Sequence, residues 1–348
     1  MTPSCPASRS PLPCLANGTL GLPLNWAHAG DQVVSRRDVQ DLGHRDGILL
    51  EQSHQLGPLP AGLGSPESGL RETHIVYSDR RATVGCVAPH ELAVASFNTR
   101  GVPLTGSQLA ARYSLAGALL NSGEADVVCV QEVLTWWHLR LLARPMRSFR
   151  YVSYRPSLPG PAGGLVTFSR LPVAGVVYRG FGVPPRAAGV SGLTRVRAGL
   201  KGALVTRLDR ITIVNTHPIA NRDGDWSSSN RFYPLHRAQL DPLTRTVRGI
   251  APAVVCGDFN IDRDSPLMSG FLEDTGLSDA FDGTCPPTFR AEYLPARATP
   301  HCIDFILTTS GTKAVATKVL FAAKESLPGG PGYLSDHVGL FASVFTAC

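Results

Sequence analysis

The 348-residue chain contains no run of roughly 18 to 20 apolar residues, so no helix that crosses a bilayer is expected from it. Its opening residues, MTPSCPASRSPLPC, lack the basic flank and compact apolar core of a secretory signal. The expectation is a soluble protein, cytoplasmic or secreted, that touches a membrane only peripherally. Zinc-like cysteine spacing is also missing, and eight cysteines are too few to scaffold a chain of this length. Cys129 and Cys256 sit inside the apolar runs DVVCVQE and AVVCGDFN and read as small buried hydrophobes; Cys285 with Cys302, or Cys5 with Cys14, are pairs open to bridging in an oxidising compartment. No internal repeat of fixed period occurs, and nothing in the sequence speaks to oligomeric state. With 43% apolar and 17% charged residues the composition is that of a globular protein, which excludes bulk disorder. A net charge of +6 permits attraction to phosphate-bearing partners without separating nucleic acid from an anionic membrane surface.

What is present divides in two. Residues 1–90 are punctuated by proline and glycine, as in PLPCLANGTLGLPL and QLGPLPAGLGSPESG, with no sustained period, and are expected to form a poorly ordered or loosely attached extension. Residues 91–348 alternate apolar runs with helix patterns, the texture of a layered α/β domain. Strands are expected at 92–97, 126–132, 253–257, 303–307 and 338–345, and a hairpin around Asp209 and Arg210. Leu109, Tyr113, Ala116 and Leu120, spaced 4, 3 and 4, predict a helix closed by Gly123. Leu240, Leu243 and Val247 predict a second, and Ser265 before Pro266 caps a third that ends at Gly276. From Arg140 to Arg210 there are thirteen Lys or Arg against one acid, Asp209, which reads either as a solvated surface or as a positive rim for an anionic partner.

The chemistry lies at strand ends. SFN closes on Asn98, VQE on Glu132 and NTH on His217; GDFN carries Asp258 and Asn260, IDF carries Asp304, and SDH carries Asp336 and His337. Singly, each is an ordinary turn, cap or loop residue. A carboxylate ending a buried strand costs solvation unless it is paired, hydrogen-bonded or metal-bound, and so many such endings call for one shared explanation at the mouth of a sheet.

In this order, the motifs SFN (96–98), QE (131–132), NTH (215–217), GDFN (257–260), CIDFIL (302–307) and SDH (335–337) resemble the DNase I-like endonuclease/exonuclease/phosphatase superfamily of metal-dependent phosphoesterases. Within it, GGLVTFSRLPV (163–173), LKGALV (200–205), the loop THPIANRDGDW leading to His236, Arg237 and either Gln239 or Leu240, and the stretch from CGDFN to TGLSDAF are similar to neutral sphingomyelinases and related phospholipase C-type enzymes. Pro218 and Ile219 after His217 depart from that pattern, and no hydrophobic anchor follows SDH.

The resemblance implies a four-layered α/β sandwich, two mixed sheets face to face with helices outside. It also implies a metal-dependent phosphodiesterase that releases the phosphorylated head group of sphingomyelin or a lysophospholipid by in-line water attack. A hard cation, Mg²⁺ or Mn²⁺, is expected on Glu132 with Asn98 and Asp336. The expected roles are His337 as general base with Asp304 as its carboxylate, Asp258 orienting the nucleophile, and His217 serving the developing charge. Asn260 and Lys201 would hold phosphate oxygens, and Tyr333, in a glycine-rich loop, would contact substrate. Trp136, Trp137, Trp226, Phe232 and Tyr233 are further rim candidates, with one of the first two expected in the core. The alternatives are a Mg²⁺-dependent DNase I-like or apurinic-type endonuclease, whose partner would be nucleic acid, and a catalytically silent binding module of the same fold.

Overall fold

A computed structural model describes residues 32–35, 90–102 and 108–346. The expected extension at 1–90 therefore lies outside the described residues, except for one short strand and the first residue of another.

The described strands form two large sheets. In spatial order the first contains β1 (Gln32–Ser35), β4 (Tyr151–Tyr154), β5 (Val166–Ser169), β3 (Val127–Gln131), β2 (His90–Asn98), β15 (Gly339–Thr346) and β12 (Thr312–Leu320). The second runs β10 (Ser278–Asp279), β11 (Asp304–Thr308), β9 (Ala253–Asp258), β8 (Thr212–Thr216), β7 (Gly202–Arg207), β6 (Gly175–Gly180). Both are mixed: β2–β3 and β8–β9 pair in parallel and their other neighbours antiparallel. A small hairpin, β13 (Glu325–Leu327) with β14 (Gly330–Gly332), precedes the SDH loop.

Period-2 alternation sorts side chains into layers. Leu92, Val94, Val127 and Cys129 of the first sheet meet Ile213, Val254, Cys256 and Ile306 of the second in a buried cluster between the sheets. The opposite parity faces helices. Ala95, Phe97, Val128 and Val130 pack under α1 (Leu109–Ser122) and α2 (Trp136–Ala143). Val214, Val255, Phe305 and Leu307 pack under α4 (Tyr233–Arg248) and α5 (Pro266–Thr275). The result is the expected four-layered sandwich. Between β6 and β7 lies a short helix, α3 (Gly192–Gly199).

Local signals hold where they rest on stereochemistry. The Ser265 hydroxyl accepts the Met268 amide at 3.2 Å, a cap of about 1 kcal/mol, and Gly276 ends α5 at φ 66°. The α1 face buries Leu109, Tyr113, Ala116 and Leu120 as spaced. β7 and β8 pair antiparallel around Asp209 and Arg210. Cys129 and Cys256 are buried as expected, Cys285 and Cys302 are free thiols, and Cys5 and Cys14 lie outside the described residues. No helix among the described residues is long and apolar enough to cross a membrane.

Candidate active site

The inner-facing parity that buries apolar residues between the sheets turns polar at one end. On β2 it runs Leu92, Val94, Ser96, Asn98; on β8 and just beyond, Ile211, Ile213, Asn215, His217; on β9, Val254, Cys256, Asp258. In register, Asp304 of β11 stands opposite Asp258, and Thr216 opposite Gly257. Gly257 adopts φ 147°, and a Cβ there would stand 1.9 Å from the Thr216 carbonyl oxygen, so only glycine lets β9 come this close to β8 and set Asp258 beside His217.

A polar belt separates the apolar layer from this mouth. The Asn215 amide nitrogen donates to the carbonyls of Val130 (3.1 Å) and Val166 (3.0 Å), and its oxygen accepts from Gln131 Nε2 at 2.8 Å. One side chain thereby ties the second sheet to two strands of the first.

Asp258 is the hub of the site. Its Oδ2 accepts Asn98 Nδ2 at 2.8 Å and lies 3.5 Å from His217 Nε2 and 3.7 Å from His337 Nε2, while Oδ1 accepts the Asn260 amide at 2.8 Å. His337 Nδ1 is 2.8 Å from Asp304 Oδ2, and the Thr288 hydroxyl accepts the amides of Ile303 and Asp304, fixing where that carboxylate enters. Lys201 Nζ lies 3.0 Å from His217 Nδ1. A neutral His217 that accepts at Nδ1 and carries its proton on Nε2 satisfies both Lys201 and Asp258.

Charge is frustrated here. Burial, then the nearby Lys201 and His337, hold His217 well below the ordinary histidine range, so it is neutral. Burial likewise lowers the Lys201 ammonium, against the opposing pull of Glu132 and Asp258. Burial raises the Asp258 carboxyl, with Asp304 adding to the rise and His337 countering it. For His337 burial acts downward, but Asp304 and Asp258 outweigh it, and the imidazole is raised.

The other expected residues surround this hub. Glu132 follows β3 at φ 64°, and one of its oxygens accepts the Gly101 amide at 2.8 Å. Asn98 Oδ1 accepts the Arg100 amide. Asn260 donates from Nδ2 to the Pro218 carbonyl at 3.2 Å. Asp336 is turned to Arg100 (3.5 Å) and accepts the Ser335 hydroxyl. Tyr333 is not brought into the cluster: its hydroxyl donates to Glu292 at 2.7 Å and its ring lies under Arg290. Trp136 packs against Tyr154 in the helical layer, whereas Trp137 is 49% exposed. Trp226 donates to the Asn260 carbonyl, while Phe232 and Tyr233 pack in apolar clusters.

Two supporting arginines escaped the sequence reading. Buried Arg112 donates to the carbonyls of Thr99, Arg100 and Leu334, clamping the loops that carry Asn98 and the SDH motif. Arg290 donates to the carbonyls of Ser335, Ala322 and Phe321. The signal for Arg112 was a guanidinium beside Tyr113 on an otherwise apolar helix face. His236 and Gln239 on α4 hold the chain after His217, through the Ile219 carbonyl (2.8 Å) and amide (2.9 Å). Beyond Ile219 opens a cavity of about 220 Å³, lined in part by Arg197, Arg222, Arg231 and Phe232.

The donor set fits a hard divalent cation. It offers the carboxylates of Glu132, Asp258 and Asp304 and the amide oxygen of Asn98, and no thiolate. Asp258, Asp304 and His337 form a buried group whose ligand atoms lie within 4.8 Å of one another. Their own hydrogen bonds already engage them, which leaves Glu132, half-buried and held on one oxygen, as the freer anionic ligand.

The family described as Endonuclease/Exonuclease/phosphatase matches residues 95–337. Among solved structures, an endonuclease/exonuclease/phosphatase from Bacteroides vulgatus aligns with TM-score 0.56 at 20% identity, covering 73% of this chain and 98% of that one. Sphingomyelinase C from Streptomyces griseocarneus aligns with TM-score 0.51 at 18% identity, covering 73% and 99%. D. rerio TDP2 complexed with single strand DNA product aligns with TM-score 0.51 at 16% identity, covering 73% and 98%. No curated protein matches the sequence.

Proposed function

We propose, starting from the fact that this chain belongs to the Endonuclease/Exonuclease/phosphatase family, that it is a Mg²⁺-dependent phosphodiesterase acting on a phospholipid, sphingomyelin or a lysophospholipid, at a membrane surface. Members of that family are phosphoesterase hydrolases. The observation that carries the reading is the hub at Asp258, where two histidines, two carboxylates, an asparagine and Lys201 converge from distant parts of the sequence.

Cleaving a phosphodiester requires an in-line water, neutralised phosphoryl oxygens and a protonated leaving alkoxide. Glu132, with Asn98 and Asp336, would hold the cation, which when bound neutralises charge on the phosphoryl oxygens. His337, held at Nδ1 by Asp304, presents Nε2 toward Asp258, and between them these groups orient a water and take its proton. Lys201 and Asn260 donate to phosphoryl oxygens. His217, neutral with its proton on Nε2, donates to the charge that develops on the ester.

A second reading, a Mg²⁺-dependent endonuclease, is favoured by the stretch 133–208, which contains no Asp or Glu and would suit a phosphate backbone. One panel separates the readings: sphingomyelin vesicles, lysophospholipid micelles and plasmid DNA, each with Mg²⁺ and with chelator. Metal-dependent phosphocholine release is the expected result. Nicked plasmid without lipid turnover would replace it by the nuclease, and binding without turnover on any substrate by a silent module.

A further inference from the structure

Large apolar side chains that stand singly in solvent are ordinary, but a contiguous group of them marks an interface. Leu193 is 61% exposed, Val196 53% and Leu200 67%, and their spacing of three and four residues puts them on one face of α3 and its C-terminal cap. Val183, 61% exposed, stands against Gly199 of the same helix. Nothing among the described residues covers this face.

The opposite face is firmly mounted. Ala198 is buried with Ile219, Phe232 and Leu235, its carbonyl accepts Gln239 Nε2 at 2.9 Å, and Arg195 donates to the Pro184 carbonyl at 2.8 Å. The Ser191 hydroxyl caps the first turn by accepting the Thr194 amide. Fraying therefore does not account for the exposure: α3 is a held platform with an apolar outer face.

The chain segment that carries it is cationic. No acid occurs between Glu132 and Asp209, and exposed Arg186 and Arg197 flank the apolar group, with half-buried Arg179 nearby in sequence on β6. The platform also adjoins the site, since Leu200 is followed directly by Lys201, whose ammonium is 3.0 Å from His217.

An apolar face flanked by arginines matches the surface of an anionic bilayer, apolar groups entering the acyl boundary and guanidinium groups meeting lipid phosphates. We propose that α3 is the element that docks this protein on membranes rich in anionic lipid, with Leu193, Val196, Leu200 and Val183 inserted and Arg186 and Arg197 on head groups, so that Lys201 and His217 face the lipid ester. The proposal rests on the phospholipid reading of the site and specifies the surface and the lipid charge that reading needs.

Binding is tested apart from turnover, with the full chain carrying His337→Ala in the presence of chelator. Co-sedimentation with phosphatidylcholine vesicles, with and without phosphatidylserine, is expected to show tighter binding when phosphatidylserine is present, weakening as salt rises. L193S/V196S/L200S is expected to lower partitioning about tenfold or more, and R186E/R197E roughly tenfold in low salt. In the His337-intact background both variants should keep the wild-type melting temperature and wild-type turnover of a soluble chromogenic phosphodiester, which separates lost docking from lost folding. Absent vesicle binding, or binding unchanged in the serine variant, overturns the proposal. Self-association that the serine variant abolishes overturns it too, by assigning the face to a second copy of the chain. Docking that holds while no lipid is cleaved would sink the phospholipid reading and leave α3 as a membrane contact.

Discussion

The two ends of the layer between the sheets are built by the same strands with the same alternation, yet they are opposite in chemistry. At one end Leu92, Ile211, Ile213 and Val254 close into a dry cluster; at the other Asn98, His217 and Asp258 occupy inward positions farther along the same strands or just past their ends. The apolar end has no conflict to resolve. The polar end raises both Asp258 and His337 and lowers Lys201 and His217, a concentration of perturbed groups that close packing elsewhere must hold in place. Substitutions at the mouth should therefore cost turnover, and those in the apolar layer should cost stability.

The largest effect is expected at His337. His337→Ala should lower kcat on the preferred phosphodiester by about 10²- to 10⁴-fold, measured against wild type at saturating Mg²⁺; wild-type kcat would take the general base elsewhere. Lys201→Met sharpens the contrast, because it removes a cation whose burial already disfavours its charge. Its kcat/KM should fall about 10²- to 10³-fold while the melting temperature stays level or rises. A stability loss as large as the activity loss would place Lys201 with the structural residues.

The apolar end should behave in the reverse way. Ile213 is fully buried, four residues before His217. Ile213→Ala should cost about 3 kcal/mol in urea unfolding and leave kcat of the folded fraction unchanged. A smaller effect comes from His236, which burial holds at about pKa 4 even though its bond to the Ile219 carbonyl favours the charged form. Unfolded histidine titrates near 6.5. As pH falls below 6.5 the unfolded chain takes up the proton first, so stability is complete above 6.5 and is lost toward 4, by about 2 kcal/mol at pH 5. His236→Gln should flatten that slope in a pH series of thermal melts.

The strand cores and the order of polar endings were legible because both depend on local pattern. β9, β11 and β15 differ by only a residue or so from the runs expected at 253–257, 303–307 and 338–345. The short strands β4, β5 and β6 and the helix α3 carry weak periodicity, and tertiary packing decides them. For the site, the sequence placed Asp258, Asp304, His217 and His337 together, and their distances bring them to one hub. It did not indicate that Asp336 turns to Arg100 or that Tyr333 bonds Glu292, because each depends on which loop another loop meets. Arg112, Arg290 and the Asn215–Gln131 link were missed for the same reason: their partners are backbone carbonyls and amides far away in sequence.

Hydrolysis of a soluble chromogenic phosphodiester, titrated with Mg²⁺ in wild type and in Glu132→Gln, probes the mouth without lipid or DNA. Wild type should show saturable turnover that chelator abolishes, and Glu132→Gln should lose about 10²-fold or more at every Mg²⁺ concentration with an unchanged melting temperature. Turnover indifferent to chelator, or a Glu132→Gln enzyme as active as wild type, would show that the polar end of the layer does not work by holding a cation at Glu132.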